Sequence, residues 1–202
     1  YPFNELESLG FLKMDFLGLK NLTLIKRVVS LIKKNHNIEI DPSKLSFDDP
    51  EPYKLISNGN TTGVFQLESS GIRDVLRRLR PEAFEDIIAV NALYRPGPLG
   101  AGMTESFIER RHGREEVTYL MPELEEVLQE TYGLILYQEQ VMQIASTVAD
   151  YSLGEADMLR RAMGKKKADV MAEHRAMFIE RATNKGYDQS KAEELFDLMA
   201  YF

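Results

Sequence analysis

Apolar residues recur at every third or fourth position along most of this chain, and this spacing predicts amphipathic α-helices. The first stripe lies in residues 21–35. A second follows Ser69 or Ser70, either of which can cap a helix by accepting a hydrogen bond from an amide of its first turn. Pro81 is predicted to open the next helix at its first position. Further helices are predicted around residues 107–113, from 122 to near 133, and over 138–151, 154–163, 168–184 and 190–202, with Gly164 and Gly186 as stops.

Three short segments are predicted to be strands. In residues 9–17 apolar and polar side chains alternate, which would place Phe11, Lys13 and Asp15 on one face. Residues 62–67 and 134–137 are two further candidates. Residues 95–100, Arg-Pro-Gly-Pro-Leu-Gly, are predicted to be a rigid turn, because Pro and Gly disfavour helix and strand interiors. The fold class is therefore predicted as mainly α with a few short strands (α+β).

Residues 38–60 are rich in Asp, Pro, Ser and Asn, which predicts a linker with one brief helix near residues 53–57. This places a boundary between a first segment, residues 1–37, and a second, residues 61–202. Residue 1 is Tyr, and the last predicted helix would expose Met199 and Phe202 where the sequence stops. The sequence is therefore predicted to be a piece of a longer protein.

Composition removes several classes of protein. The 202 residues include no Cys, which excludes disulfides, thiolate metal sites and thiol nucleophiles. The three His lack metal-ligand spacing, and no glycine-rich phosphate loop is present. Without a membrane-spanning apolar run or a signal-peptide layout, we expect a cytoplasmic protein with no membrane partner. The net charge of −7 argues against a protein that coats nucleic acid, unless positive charge is concentrated locally.

Positive charge is concentrated in residues 157–167, which read D-M-L-R-R-A-M-G-K-K-K. The bases are Arg160, Arg161, Lys165, Lys166 and Lys167. An arginine side chain presents a fork of donors that matches pairs of phosphate oxygens. Bases at a helix C-terminus also complement the helix dipole, so the residues alone leave a phosphate site and a structural role open.

Two further arginine clusters are candidate contacts to DNA. Arg73, Arg77 and Arg78 lie on one short predicted helix, and Arg110 and Arg111 lie on another. Solvated helix faces often carry such clusters, so each is a weak signal by itself. Three basic clusters on an acidic chain nevertheless favour a polyanionic ligand.

Lys13 and Asp15 form a different kind of candidate site. If these residues lie on a strand, they are two positions apart and share one face, with their α-carbons roughly 6.6 Å apart. A carboxylate can bind Mg²⁺ and an ammonium can bind phosphate, and phosphoryl transfer needs both. An ordinary surface ion pair is the simpler interpretation of the spacing.

Five segments, in order, resemble the bacterial replicative DNA polymerase III alpha subunits, the C-family DNA polymerases. They are L-K-M-D-F-L-G-L (12–19), V-F-Q-L-E-S (64–69), Y-R-P-G-P-L (94–99), Y-Q-E-Q-V-M (137–142) and A-D-M-L-R-R-A-M-G-K-K (156–166). The resemblance implies the distal part of a nucleotidyltransferase-like palm in residues 1–37. It implies a helical fingers subdomain, truncated at its C-terminus, in residues 61–202.

The resemblance also implies roles for single residues. Asp15 matches one of three aspartates that hold two Mg²⁺ ions in the family. The other two form an Asp-x-Asp pair, which this sequence lacks and which should lie upstream of Tyr1. Lys13, Arg160 and Arg161 match residues that contact the nucleoside triphosphate, and Lys165, Lys166 and Lys167 would support the same charged surface.

The implied reaction adds deoxynucleotides to a primer 3′ end by two-metal-ion phosphoryl transfer. The implied partners are primer–template DNA, deoxynucleoside triphosphates, the remaining polymerase domains, and the sliding clamp and other replisome subunits. The piece alone is expected to be inactive. Two alternatives stay open: a helical protein-interaction module, and a nucleotide-binding module without polymerase activity.

Overall fold

The structure is a computed structural model that describes residues 1–165 and 168–201. These residues form twelve α-helices and three single-turn 3-10 helices, and they contain no β-strand. The chain separates into two units, Tyr1–Phe47 and Asp48–Phe202. The helices are α1 (Phe3–Ser8), α2 (Lys20–His36), α3 (Pro50–Ser57), α4 (Ser70–Leu79), α5 (Phe84–Leu93), α6 (Pro96–Gly100), α7 (Met103–Arg111), α8 (Glu125–Leu128), α9 (Gln138–Ala149), α10 (Leu153–Lys165), α11 (Ala168–Asn184) and α12 (Gln189–Tyr201).

The first unit consists of α1, α2 and the segments around them, and none of its residues with a described side chain is buried. The helix α2 forms where the apolar spacing predicts it. It ends at Asn37, whose left-handed backbone, with a φ of 55°, allows its amide to bond to the Lys33 carbonyl. The apolar stripe of α2 is exposed or only half-buried. Helical periodicity therefore predicted this element, although the unit offers no core to cover its apolar face.

The first core of the second unit lies among α3, α4, α5 and α7. The helix α4 begins after Ser69 as predicted, and the Ser69 hydroxyl accepts the Ile72 amide at 3.4 Å. The other three helices each contribute fully apolar side chains to this core. Its largest completely buried members are Leu76, Leu79, Leu93, Phe107 and Ile108.

A second core fills the space among α8, α9, α10, α11 and α12. The rings of Phe178 and Phe196 lie at its centre, 5.6 Å apart between centroids. Met199, which was predicted to be exposed where the sequence stops, is fully buried in this core. Phe202 lies outside the described residues. No helix in the described ranges combines the length and apolar character that a membrane span requires.

Residues 134–137 join the two cores. Leu136 is buried in the first core, with Leu134 and Tyr137 packed against it, whereas Ile135 packs against the second. The segment therefore meets apolar surroundings on both sides, which accounts for its continuous apolar run in the sequence. It has no regular secondary structure because it lies between two helical cores.

The other two predicted strands are also absent from the described residues. Residues 11–19 have no regular secondary structure, and residues 62–66 form turns. A strand requires a neighbouring strand with which to exchange backbone hydrogen bonds, and neither segment has one here. Alternation of side chains does not supply that partner.

Three predictions about Pro and Gly were wrong. Residues 96–100 form the short helix α6 rather than a turn, since first-turn amides need no acceptor and Pro is tolerated there. Pro81 does not start α5; Asp86 sets the start by accepting the amides of Glu82 and Ala83 at 2.8 and 3.1 Å. Gly164 lies inside α10, where one Gly costs only about 1 kcal/mol. Gly186, with a φ of 99°, does follow the end of α11.

Candidate functional site

Arg160 and Arg161 are held side by side by one carboxylate on the same helix, α10. The Nε and Nη2 atoms of Arg160 donate to Asp157 Oδ1 at 3.0 and 2.8 Å. Arg161 Nη2 lies 2.8 Å from the other oxygen, Oδ2. The spacing of three and four residues makes this possible, because these positions are neighbours on a helix surface. The result is a site with two guanidinium groups and a single negative charge.

The charge balance around Asp157 favours its ionised form. The hydrogen bond from Arg160, assisted by the positive charges of both arginines, holds the pKa of Asp157 below its ordinary value. The side chain of Arg161 is 66% exposed, whereas that of Arg160 is 31% exposed. Both guanidinium groups therefore remain open to a ligand from solvent.

Gln138, the first residue of α9, connects this arginine pair to a cleft. Its Oε1 atom accepts a hydrogen bond from Arg160 Nη1 at 3.0 Å. Gln138 also lines a cleft of about 770 Å³, together with Arg95, residues 97–98, residues 133–139 and Leu198. Arg160 therefore lies at the edge of a concave surface whose walls are largely apolar.

The inner wall of the cleft is fixed by Gln140, which is almost completely buried. Its Oε1 atom accepts the amides of Leu136 and Tyr137 at 2.8 and 2.9 Å. Its Nε2 atom donates to the Thr131 hydroxyl at 2.8 Å. Every polar group of this buried amide is thereby used, which ties the wall to the start of α9. Burial raises the pKa of Tyr137 to about 12, so this phenol stays protonated.

Gly133 shapes the same wall. Its backbone has a φ of 81°, which side chains rarely permit, and an added Cβ would lie 2.7 Å from the carbonyl oxygen of Thr118. Arg110 supports the neighbouring turn by donating from Nη1 to the carbonyl of Tyr132 at 3.0 Å. The backbone of the wall can therefore pass this close to Thr118 only because residue 133 is a glycine.

A second close approach involves Tyr94, the residue before Arg95, which lines the cleft. Gly71, in α4, has no Cβ, and its backbone lies directly against the hydroxyl of Tyr94. Ser69 Oγ lies 3.5 Å from the same hydroxyl. Tyr94 precedes Arg95 and α6, so this contact links residues 64–69 to residues 94–99. Four of the five segments that carry the resemblance therefore lie near one another in the second unit. They are residues 64–69, 94–99, 137–142 and 156–166, which contact each other or line the same cleft.

Arg110 and Arg111, two of the predicted DNA contacts, are engaged within the fold. Arg111 forms a two-pronged pair with Asp86, with Nε to Oδ1 at 2.8 Å and Nη2 to Oδ2 at 2.7 Å. Both side chains are only 12% exposed. Burial acts to raise the pKa of Asp86, but the hydrogen bonds from Arg111 and two amides outweigh it and lower the pKa. Arg110 pairs with Glu115 at 2.7 Å and is also largely buried.

The arginines of α4 differ among themselves. Arg73 donates from Nε to the Gly59 carbonyl at 2.7 Å. Arg78 pairs with Asp74 at 3.1 Å and Glu105 at 2.6 Å. Arg77 is exposed, and it forms no ion pair with another described residue. DNA contact by these arginines stays a prediction, for which Arg77 is the best placed.

Lys13 and Asp15 lie in the first unit and face each other. Their Nζ and Oδ1 atoms are 3.3 Å apart, and the two side chains are 58% and 61% exposed. Lys13 Nζ also lies 5.5 Å from the centre of the Phe3 ring. The Asp15 carboxylate is an accessible hard oxygen donor of the kind Mg²⁺ prefers. The described residues contain no group of three or more metal-binding side chains, so Asp15 would be one ligand among several supplied from elsewhere.

Two of the predicted phosphate-binding lysines cannot be placed. Lys166 lies outside the described residues, as does its neighbour Lys167. Lys165 is the last residue of α10, so the backbone continues the helix of Arg160 and Arg161 to this point.

Sequence reasoning missed Asp157 and Gln138 as partners of Arg160. The i, i+3 and i, i+4 spacing from Asp157 to the two arginines was readable and could have predicted the first contact. No sequence signal connects Gln138 with Arg160, because they are 22 positions apart on different helices. Gln140 was likewise invisible, since its partners are backbone amides of an irregular segment.

The chain is similar to known bacterial DNA polymerase III alpha subunits. Residues 21–186 match the model of the bacterial DNA polymerase III alpha subunit finger domain. The chain is 52% identical to the DNA polymerase III subunit alpha of Aquifex aeolicus over 197 residues, which is 98% of this chain and 17% of that protein. It is 52% identical to the subunit of Bacillus subtilis over 202 residues, which is all of this chain and 18% of that protein. The corresponding protein of Helicobacter pylori strain J99 is 51% identical over 202 residues, again all of this chain and 17% of that protein.

The chain therefore spans less than a fifth of the length of these relatives. The family match covers the whole of α10, which carries Arg160 and Arg161, and every residue that lines the cleft except Leu198. The match to the family model over residues 21–186 and these identities place this chain in the family of bacterial DNA polymerase III alpha subunit finger domains.

Proposed function

We propose that this chain supplies the fingers surface of a replicative DNA-directed DNA polymerase, and that Arg160 and Arg161 bind the triphosphate of the incoming deoxynucleotide. The observation that carries the proposal is the pair of guanidinium groups held at the edge of the cleft by Asp157 and Gln138. Two arginines beside a cleft are suited to an anion with several oxygen atoms. The family match supports the same assignment.

The chemistry follows from the charge that develops during phosphoryl transfer. When the primer 3′ hydroxyl attacks the α-phosphorus, negative charge builds on the phosphate oxygens and on the departing pyrophosphate. Arg160 and Arg161 lower the barrier by stabilising that charge at fixed positions. Lys13, Lys165 and Lys166 are proposed as further contacts to the triphosphate in the complete polymerase.

Asp15 is proposed as a metal ligand in the complete polymerase. Its exposed carboxylate would bind Mg²⁺ together with carboxylates from outside this chain. Two such ions, when bound, stabilise the attacking and leaving oxygens. Lys13, whose Nζ atom lies 3.3 Å from Asp15 Oδ1, is proposed to contact the triphosphate in the complete polymerase.

Primer–template DNA is the second ligand of the proposed polymerase. The template base selects the nucleotide by pairing, so the protein needs contacts to the backbone rather than to base edges. Arg77 is the most available of the candidate arginines, and Arg73 and Arg78 are close to it on α4. The remaining polymerase domains, the sliding clamp and other replisome subunits are the proposed protein partners.

Substitution of Arg160 in the complete polymerase subunit tests the triphosphate assignment. Arg160→Ala should raise the KM for deoxynucleotide about 10- to 100-fold, because a charge-assisted contact is lost, with primer–template affinity nearly unchanged. Arg175→Ala is the matched control, since Arg175 is another partly exposed arginine of the second unit, paired with Asp197 at 3.2 Å. Steady-state primer extension and a DNA-binding titration provide the measurements. Loss of DNA affinity with an unchanged KM would contradict the assignment.

A charge-preserving change separates the proposal from a protein-interaction module. Arg160→Lys keeps the positive charge but removes the planar fork. A triphosphate site should lose most of its function with Lys, whereas a surface that only attracts an acidic protein should tolerate it. Nucleotide binding that is independent of primer–template would instead indicate a nucleotide-binding module without polymerase activity.

Asp15→Asn tests the metal assignment in the complete polymerase. The substitution keeps the size of the side chain but removes the charge that attracts Mg²⁺. We expect loss of nearly all nucleotide incorporation, with the unfolding midpoint within the error of the unmodified protein. A substantial residual rate at saturating Mg²⁺ would remove Asp15 from the proposed site.

A further inference from the structure

The carboxylate of Asp157 contacts the guanidinium groups of both Arg160 and Arg161. Oδ1 accepts both Nε and Nη2 of Arg160, at 3.0 and 2.8 Å. Oδ2 lies 2.8 Å from Nη2 of Arg161. One acid thus joins two bases that are adjacent in sequence and would otherwise repel each other.

These contacts do not use all the donors of either arginine. A guanidinium group has five N–H bonds, and the contacts of Arg160 with Asp157 and Gln138 account for three of them. Arg161 directs a single described contact to Asp157 and is mostly exposed. Each guanidinium group therefore keeps free N–H bonds for an oxygen-rich anion while it is paired with Asp157.

We infer that Asp157 is a positioning residue, which orients Arg160 and Arg161 together so that both can bind one triphosphate. The inference rests on the proposed function of the two arginines. Asp157 itself does not touch the nucleotide. It removes the rotational freedom of two long side chains before the ligand arrives, so less entropy is lost when the triphosphate binds.

If Asp157 only stabilised α10, the contact of Arg160 with Gln138 on another helix would be left unexplained. Surface pairs at i, i+3 and i, i+4 contribute about 0.3–0.5 kcal/mol each and need no partner on another helix. Arg160, however, is also held by Gln138 at the start of α9, at 3.0 Å. Its guanidinium group is thus fixed from two helices, in the position where it meets the cleft.

Substitution of Asp157 by Asn in the complete polymerase tests the inference. Asn keeps the size and one acceptor oxygen but loses the charge and the second acceptor. The KM for deoxynucleotide should rise about three- to tenfold, with kcat changed less than twofold. Asp157→Glu should restore most of the loss, since Glu also pairs with Arg at these spacings. Asp197→Asn, which breaks the exposed pair with Arg175, is the matched control and should leave the KM unchanged.

A double-mutant cycle distinguishes positioning from a general effect on the fold. In a protein that already carries Arg160→Ala and Arg161→Ala, Asp157→Asn should no longer reduce kcat/KM. An unchanged or lower KM for Asp157→Asn would overturn the inference, as would an equal reduction of kcat/KM in the arginine-free background. If Arg160→Ala itself left the KM unchanged, the proposed triphosphate site would fail instead, so the two failures are distinguishable.

Discussion

Gln140 is the side chain on which the inner wall of the cleft depends. Gln140→Ala would leave the buried amides of Leu136 and Tyr137 without acceptors, and each unpaired amide costs about 1–3 kcal/mol. We therefore expect the free energy of unfolding to fall by about 2–4 kcal/mol. Urea denaturation of this chain measures the change. Gln143→Ala is the control, because Gln143 lies on the exposed side of α9 and should change stability by less than about 0.5 kcal/mol. Equal losses in both variants would contradict this account.

Individual arginines illustrate what sequence could and could not predict at this scale. The positions of Arg160 and Arg161 in a cluster of bases were readable from the sequence, and their phosphate-binding role stays a prediction. The half-buried pair of Arg111 with Asp86 was not, since it joins residues 25 positions apart. The sequence shows where a charged residue lies along the chain. Only the folded structure shows whether that residue forms an ion pair with another one. DNA contact by Arg111 would require breaking this pair, which argues for Arg77 as the better candidate.

The turn before the cleft wall is the element most sensitive to a single methyl group. Gly133→Ala would place a Cβ 2.7 Å from the Thr118 carbonyl oxygen and force a side chain into a φ of 81°. The left-handed backbone alone costs about 1–2 kcal/mol, and the clash adds to it. We expect a loss of about 2–4 kcal/mol in the free energy of unfolding. Gly154→Ala in α10 is the control, because nothing lies within 4 Å of its added Cβ. A Gly133→Ala protein as stable as the control would show that the turn can shift.

Whole elements followed the sequence closely where a long apolar stripe defined them. The helices α2, α4, α9 and α11 begin or end within a few residues of their predicted limits because their stripes match the helical period over several turns. The strand predicted over residues 9–17 failed because alternation describes side chains and not backbone pairing. Residues 134–137 failed for another reason, since a short run of apolar residues is typical of a buried strand but here results from packing between two helical cores.

At the scale of the second unit, distant segments meet around the cleft. Residues 64–69 and 94–99 are linked through Tyr94, and residues 137–142 reach Arg160 through Gln138. The order of these segments in the sequence gave no indication of which would be neighbours. Their resemblance to one family predicted a common function, whereas the shared cleft comes from the packing of two separate cores. The family was therefore more readable from the sequence than the geometry of the cleft.

Acid should loosen the second core in two steps, because two of its titratable groups respond in different pH ranges. Burial lowers the pKa of His174, so stability should begin to fall as the pH drops below about 6.5 and His174 is forced to accept a proton. Glu155, bonded to Arg181 at 2.7 Å, has a pKa lowered to about 2 by that hydrogen bond and by those from Ser152. Its contribution should be complete above about pH 4.3 and disappear as the pH falls towards 2.

Glu155→Gln isolates the second step. At pH 7 the variant lacks the charged pair with Arg181, so its thermal unfolding midpoint should lie below that of the unmodified chain. Near pH 2 the Glu155 carboxyl is itself becoming neutral, and the two midpoints should converge, since the depressed pKa no longer favours the folded state. Midpoints measured from pH 7 to pH 2 test this convergence. A constant gap across that range would mean that Glu155 stabilises the fold by packing rather than by charge.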